Sequence, residues 1–394
     1  MSIAARRDGL ARGPARPDSS QGRGPALLGK LLGLDWGLTL VLAAIASVGF
    51  LMLYSVAGGD MDPWASRQMT RFTAGLGLMA VIALIDIRFW RWISPFAYCG
   101  ALGLLVAVEF VGVTGMGATR WIQIGPLQLQ PSELMKIGIV MALARYYDWL
   151  RADRVSHPLW LLPPIALILV PMVLVLKQPD LGTALLIGLG GTVVVFLAGV
   201  SLWYFITAGL AGIGAVWGVI ATRGTEWQVL KDYQYRRIDT FLDPEKDPLG
   251  AGYHITQSKI AMGSGGLEGR GFMQGTQSRL NFLPEKHTDF IFTTLSEEFG
   301  FIGSFSLLSL YVFVAALCVL SMLRNRDRFG ALMTGGLGAA FFFFWAVNMA
   351  MVMGLVPVVG VPLPLVSYGG SAMLVLMIAF GLVQSAHIHR PKAI

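Results

Sequence analysis

The sequence predicts an all-α polytopic membrane protein, with about ten transmembrane helices and a large extracytoplasmic loop between spans 7 and 8. Three observations carry this reading. Of 394 residues, 55% are hydrophobic and only 13% charged, where a soluble domain has about 25% charged. Apolar runs of about 20 residues recur, each long enough to cross a hydrocarbon core about 30 Å thick. Lys and Arg concentrate in alternate short segments, as in cytoplasmic loops. The mean hydropathy of +0.64 points the same way.

Residues 1–33 read as a cytoplasmic disordered tail, because they are polar and rich in Gly, Pro and Arg. The apolar run that follows is longer than the core of a cleaved signal, so it reads as the first permanent span. The membrane domain then covers 34–390. Its spans are expected at 34–56, 66–86, 92–114, 132–149, 158–176, 181–200, 202–222, 290–322, 329–353 and 365–388. The run from 290 is longer than one crossing needs and reads as a partly buried turn leading into a span. One side receives Arg88, Arg91, Arg145, Arg151, Arg154, Arg324, Arg326, Arg328, Arg390 and the basic tail. The other side's short loops hold only Arg67, Arg71, Arg120 and Lys177. Both termini are therefore expected in the cytoplasm.

The loop 223–289 then lies outside. Loops of that length are functional or disordered. This one carries Tyr233, Tyr235, Phe241, Tyr253, Phe272 and Phe282, which argues for short amphipathic or re-entrant helices folded against the membrane domain. The chain has no internal repeat, which weakens a transporter built on inverted repeats.

Several function classes drop out. The net charge of +7 sits in the tail and short loops, as expected beside anionic lipid, so no nucleic-acid partner is implied. There is no Walker A loop, no H-E-x-x-H and no G-x-S-x-G. The stretch "GSGGLEGRG" does not join a strand to a helix in a βαβ unit, so it is no nucleotide fingerprint. The histidines lack zinc-ligand spacing. Cys99 and Cys318 lie far apart within apolar runs and read as small buried residues.

Ionisable groups in or beside spans are the functional candidates, since leaving one unpaired in hydrocarbon is expensive. Glu133 and Lys136 share a helix face at i, i+3. They read either as an ion pair fixing helix packing or as a charged patch at an outer mouth, and the two are compatible. Asp180 opens a span where the helix dipole favours a carboxylate, and it reads equally as a capping residue. Asp289 is the last charge before "FIFTTL" at the outer boundary. It is a candidate general base, and Thr288 and Asp289 are also good helix caps. Of Glu297 and Glu298, at least one is expected to face a protein interior or a polar cavity. Arg120, Arg236, Arg237, Arg270 and Arg279 all fall on the outer side. They suit an anionic ligand such as a diphosphate, or stand as solvated loop charges.

Longer motifs add a resemblance. The run "GSGGLEGRGFMQGTQSRLNFLPEKHTDFIFTTLSEEFGFIG" (263–303) resembles the signature loop of the SEDS family, the shape, elongation, division and sporulation proteins. So do "GATRWIQIGPLQLQPSELMK" (117–136), "KQPDLGTALL" (177–186), "YRRIDTFLDPEKDPLGAGYHITQSKIAMGSGG" (235–266) and "GLVPVVGVPLPLVSYGGSAML" (354–374). The likeness spans about 34–388 and is closer to the elongation type than to the division type. It implies a ten-span peptidoglycan glycosyltransferase of the bacterial inner (plasma) membrane that polymerises lipid II into a growing glycan strand. It implies a class B penicillin-binding protein as transpeptidase partner, with other elongation (rod) complex proteins. The essential aspartate of the family falls on Asp289, its S-E-x-x-K pair on Glu133 and Lys136, and the aspartate of "PDLGT" on Asp180. Arg120 and Arg237 match recurrent arginines suited to the diphosphate. A divalent cation (Mg2+ or Mn2+) is compatible with that chemistry, its identity left open. The competing readings are a lipid II flippase and a non-catalytic scaffold for the transpeptidase.

Overall fold

The structure is a computed structural model. It describes residues 27–115, 118–125, 127–226, 228, 235, 239–243, 251–280 and 286–391. The expectation of a disordered tail at 1–33 falls mostly outside these residues, as does Arg237.

A short helix α1 (Leu27–Leu32) leads into α2 (Trp36–Val56), α3 (Ala65–Leu84) and α4 (Ile87–Val111). Then come α5 (Pro131–Trp149), α6 (Pro158–Lys177), α7 (Leu181–Leu197) and α8 (Leu202–Ala221). After the large loop's α9 (Ala251–Ser264) and α10 (Thr276–Arg279) follow α11 (Ile291–Arg324), α12 (Arg328–Val352) and α13 (Gly370–Ile388). A long helix occupies each of the ten segments read as spans. Among the described residues, seven of them are long and apolar enough to cross a membrane: α2, α4, α6, α8, α11, α12 and α13. The other three fall short for visible reasons. α3 carries Arg67, Gln68 and Arg71 in its first turns, α5 holds Glu133, Lys136, Arg145 and Asp148, and α7 has 17 residues.

Local chemistry moves some boundaries. α4 starts ahead of the expected 92, because Asp86 caps it by accepting from Arg88 N at 2.8 Å. α13 starts only at Gly370. The stretch before it holds Pro357, Pro362 and Pro364, which remove backbone donors, and Leu365 at φ 65.

One element was not expected. β1 (Val113–Gly115), β2 (Ala118–Ile124) and β3 (Leu127–Leu129) form an antiparallel three-stranded sheet between α4 and α5. The alternation in "TRWIQI" and the turn at Gly125, φ 61, are its only sequence signals, and both are short.

Packing is tightest where small residues let helices approach. α13 lies along α3, with Gly75 against Met377 and Gly381 against Ile82. α5 is surrounded by α4, α6, α7 and α12. α8 differs from all of these. None of its residues is buried, and its ends are tied by side-chain hydrogen bonds. Tyr204 Oη donates to Ser156 O at 3.1 Å and Tyr235 Oη to Val219 O at 2.7 Å.

α11 is two helices. Gly300 has φ 63 and ψ −156, which breaks it between Phe299 and Phe301. The first piece, Ile291–Phe299, is buried over Ile291–Glu298. It is the partly buried lead-in expected from the excess length of the run.

Candidate functional site

Asp289 stands two residues ahead of Ile291, at the head of that buried piece. Three main-chain contacts set its position. Tyr368 N donates to His287 O at 2.9 Å, Ser367 Oγ to Thr288 O at 2.6 Å, and Asn348 Nδ2 to Asp289 O at 2.9 Å. Asn348 also donates to Val361 O at 2.6 Å, so one buried amide bridges α12, the 354–369 loop and Asp289. The His287 ring stacks on Trp64 at 4.6 Å and sits 6.3 Å from Tyr368. The Asp289 carboxylate adjoins the 354–369 loop: its Oδ2 lies 3.7 Å from where a Cβ at Gly360 would stand, an ordinary contact distance, and Gly360 has φ 69. A side chain there would be strained by that backbone conformation. Beside this segment, burial holds the Lys286 pKa below the ordinary lysine value.

The 354–369 loop is pinned as firmly as the aspartate it supports. Gln68 Nε2 donates to Ser367 O at 2.9 Å, Leu363 N to Ser367 Oγ at 2.7 Å, and Tyr311 Oη to Pro364 O. The same loop reaches α7, for a Cβ at Gly182 would stand 2.6 Å from Val359 O. The carboxylates at Asp180 and Asp289 therefore flank one irregular segment.

Asp180 caps α7. Its Oδ1 accepts from Thr183 N at 3.1 Å, and its Oδ2 accepts from Thr183 Oγ1 at 2.9 Å and Gln130 Nε2 at 3.1 Å. Arg120, on β2, brings Nη1 to 3.9 Å from Asp180. Its Nε donates to Gln178 O at 3.0 Å and its Nη2 to Pro179 O. Its guanidinium is thus engaged in holding this corner together. Lys136 pairs with Glu133 at 2.8 Å and lies over the Phe344 ring, 3.9 Å from its centroid. That pair lines a small groove of about 40 Å³ whose other walls are apolar, among them Leu337, Phe341, Phe344 and Val375.

Sequence reading left Glu297 and Glu298 without a role, and both are buried, at 0% and 2% exposure. Glu297 Oε1 accepts from Thr276 N at 2.7 Å, Thr276 Oγ1 at 2.9 Å and Gln277 N at 3.1 Å, which caps α10. Glu298 accepts from Ser55 Oγ on α2. Around them the loop 265–271 is stitched across the break in α11. Arg270 N donates to Glu297 O at 2.9 Å, Gly271 N to Glu298 O at 3.0 Å, Phe301 N to Gly266 O at 2.9 Å and Ile302 N to Leu267 O at 3.1 Å. A Cβ at Gly265 would collide with Ser296 O and one at Gly269 with Glu298 O. The glycines of "GSGGLEGRG" permit backbone-to-backbone contact, not nucleotide binding.

Other contributors were missed. A lone Asn in "FFFFWAVNMAMV" is an intramembrane amide, and that signal alone could have flagged Asn348. Trp64 and Tyr368 gave no such sign. Among the described residues, no three His, Cys, Asp or Glu side chains gather as a metal-ligand set.

Comparison with known proteins fits this geometry. The family model for FtsW, RodA and SpoVE, described as "Cell cycle protein", matches residues 35–392. The peptidoglycan glycosyltransferase MrdB of Escherichia coli strain K12 is 44% identical over 360 residues, covering 91% of this chain and 94% of that one. Stage V sporulation protein E of Bacillus subtilis is 31% identical, covering 89% and 95%. Among solved structures, a chain of a peptidoglycan synthase complex that coordinates polymerization and crosslinking superposes with TM-score 0.77 at 33% identity, over 90% of this chain and 98% of that one. The rod shape determining protein RodA of Thermus thermophilus superposes with TM-score 0.68 at 30% identity, over 92% and 99%. Motifs, fold and relatives agree, and the chain belongs to the FtsW, RodA and SpoVE family, the SEDS proteins.

Proposed function

We propose that this protein is a peptidoglycan glycosyltransferase of the elongation type, polymerising lipid II into glycan strands. The observation that carries the reading is the likeness, over nine-tenths of the chain, to a relative named for that activity. Ten spans, cytoplasmic termini and an extracytoplasmic loop at 223–289 in the inner membrane go with it. So does a class B penicillin-binding protein as partner, supported by a structural neighbour that belongs to a synthase coupling polymerization to crosslinking.

In this reading Asp289 is the general base. It takes the proton of the acceptor 4-hydroxyl as that oxygen forms its bond to the donor's anomeric carbon. The bond from that carbon to the lipid diphosphate breaks, and its electron pair leaves with the diphosphate. One base suffices, because diphosphate is a good leaving group and needs no acid partner, unlike the leaving group of a glycosidase. In support of that role, three contacts fix the backbone at 287–289 that carries the carboxylate. Glu133 and Lys136 shape the apolar groove electrostatically. Asp180, held by Arg120 and Gln130, fixes the corner against which the 354–369 loop rests. A role for Arg237 at the diphosphate follows from the motif alone.

The test is polymerisation of purified lipid II by the protein reconstituted with its transpeptidase partner. Wild type makes long strands in this reading, and Asp289→Ala makes none while still binding the partner. Equal polymer from both would remove Asp289 as base. No polymer from either would favour lipid II transport instead.

A further inference from the structure

Arg71 lies in the second turn of α3 with its guanidinium over the Tyr368 ring, 4.8 Å from the centroid. Its Cζ and Nη2 are 3.9 Å from where a Cβ at Gly370 would stand, on the first residue of α13. Among the described residues, its Nη1 is buried and has no hydrogen-bond partner. Ser371 Oγ is also buried without a partner, in a residue only 7% exposed. Among the described residues, no side chain caps α13, whose N-cap is Gly369. Its first N–H groups have no partner within the helix, and the dipole there favours negative charge.

Among the described residues, two buried polar groups without a partner, Arg71 Nη1 and Ser371 Oγ, thus border the start of α13, where Gln68 Oε1 accepts from Gly369 N at 3.5 Å. A buried donor left unmade costs about 1–3 kcal/mol, and more when charged. Other arginines of the bundle are spent differently. Arg120 is held by two carbonyls and Asp180, and Arg91 by Asp148 and Asp327. The segment also adjoins the base, since Ser367 and Tyr368, just before Gly369, hold Thr288 and His287.

We infer that Arg71, Ser371 and the first turn of α13 form a binding site for the diphosphate of a polyprenyl-linked substrate. The inference rests on the glycosyltransferase reading and assigns the leaving group a place. As the anomeric carbon–oxygen bond breaks, the electron pair passes to a diphosphate oxygen. The guanidinium, the hydroxyl and the helix N–H groups meet that growing charge. The proton released by the acceptor goes to Asp289.

The experiment uses full-length protein in phosphatidylcholine nanodiscs, titrated with undecaprenyl diphosphate and read by thermal melting. Wild type is stabilised by the ligand. Arg71→Met melts, without ligand, at or above the wild-type temperature, because an unsatisfied charge has been removed, and it loses about tenfold or more in affinity. Arg71→Lys recovers part of that affinity. The site is overturned if Arg71→Met binds as wild type does, or if it melts well below wild type without ligand. It is also overturned if phosphatidylglycerol stabilises wild type as strongly as the diphosphate lipid, which would make it an interfacial phospholipid contact. Polymerisation of lipid II by the same variants, reconstituted with the transpeptidase partner, separates the two levels. If wild type polymerises and Arg71→Met does so with unchanged KM, the diphosphate site falls alone. If wild type makes no polymer, the glycosyltransferase reading falls with it.

Discussion

The two ends of the helix bundle are built on opposite principles. At the end away from Asp289, charges are matched. Arg91 bridges Asp148 and Asp327, Arg145 reaches Asp148 at 3.5 Å, and Asp327 also caps α12 through Gly330 N at 2.9 Å. Arg328 Nη1 closes onto Leu150 O at 3.0 Å. At the Asp289 end, irregular backbone does the holding, through carbonyls and amides of the 354–369 loop. Among the described residues, buried polar atoms without a hydrogen-bond partner occur at both ends, Arg91 Nε and Tyr147 Oη at the first, Arg71 Nη1 and Ser371 Oγ at the second. The ends differ in how they are held, one by ion pairs and the other by main chain.

Four substitutions would break or sharpen that contrast. Asp289→Asn should leave melting unchanged and lower polymerisation by about 10²- to 10⁴-fold, the usual worth of a general base. A melt that drops with activity would make Asp289 structural. Gly269→Val meets both a φ of 84 and the Glu298 carbonyl. It should cost about 3 kcal/mol or more in strain and collision, seen as a lower melting temperature with loss of activity. Asp327→Ala removes a partly buried acceptor at the matched end. It should cost about 1–2 kcal/mol, with polymerisation per folded molecule unchanged. A fall in turnover there would show that the two ends are coupled. Arg151→Ala breaks a pair with 75% and 60% exposed side chains and should stay within about 0.5 kcal/mol of wild type in a thermal melt.

The helices were legible because hydrocarbon admits few alternatives. A run of apolar residues must satisfy its backbone internally, so length and charge place the spans to within a few residues. The site was legible only in part. Asp289, Glu133, Lys136 and Asp180 announce themselves as charges beside apolar runs. What positions Asp289 is contact with main chain: Tyr368 N, Ser367 Oγ and Asn348 Nδ2 each donate to one of the carbonyls of 287–289. Backbone hydrogen bonds leave no compositional trace beyond glycine and proline. The sheet at 113–129 was missed because two of its strands have three residues each, too few to show a period of two. Arg71 was visible only as a loop charge, since nothing in the sequence says that its partner is missing.

The stitched loop has a practical corollary. Its register is written in carbonyls and amides, so its outward side chains are spectators. Leu267 is 71% exposed, yet its carbonyl accepts from Ile302 N at 3.1 Å. Glu268 beside it is also exposed. A single cysteine at 268 would therefore mount a fluorophore on a rigid anchor beside the helix that follows Asp289. With Cys99 replaced and Cys318 already buried, that one label would report what approaches this face during turnover without touching the bonds that hold the loop.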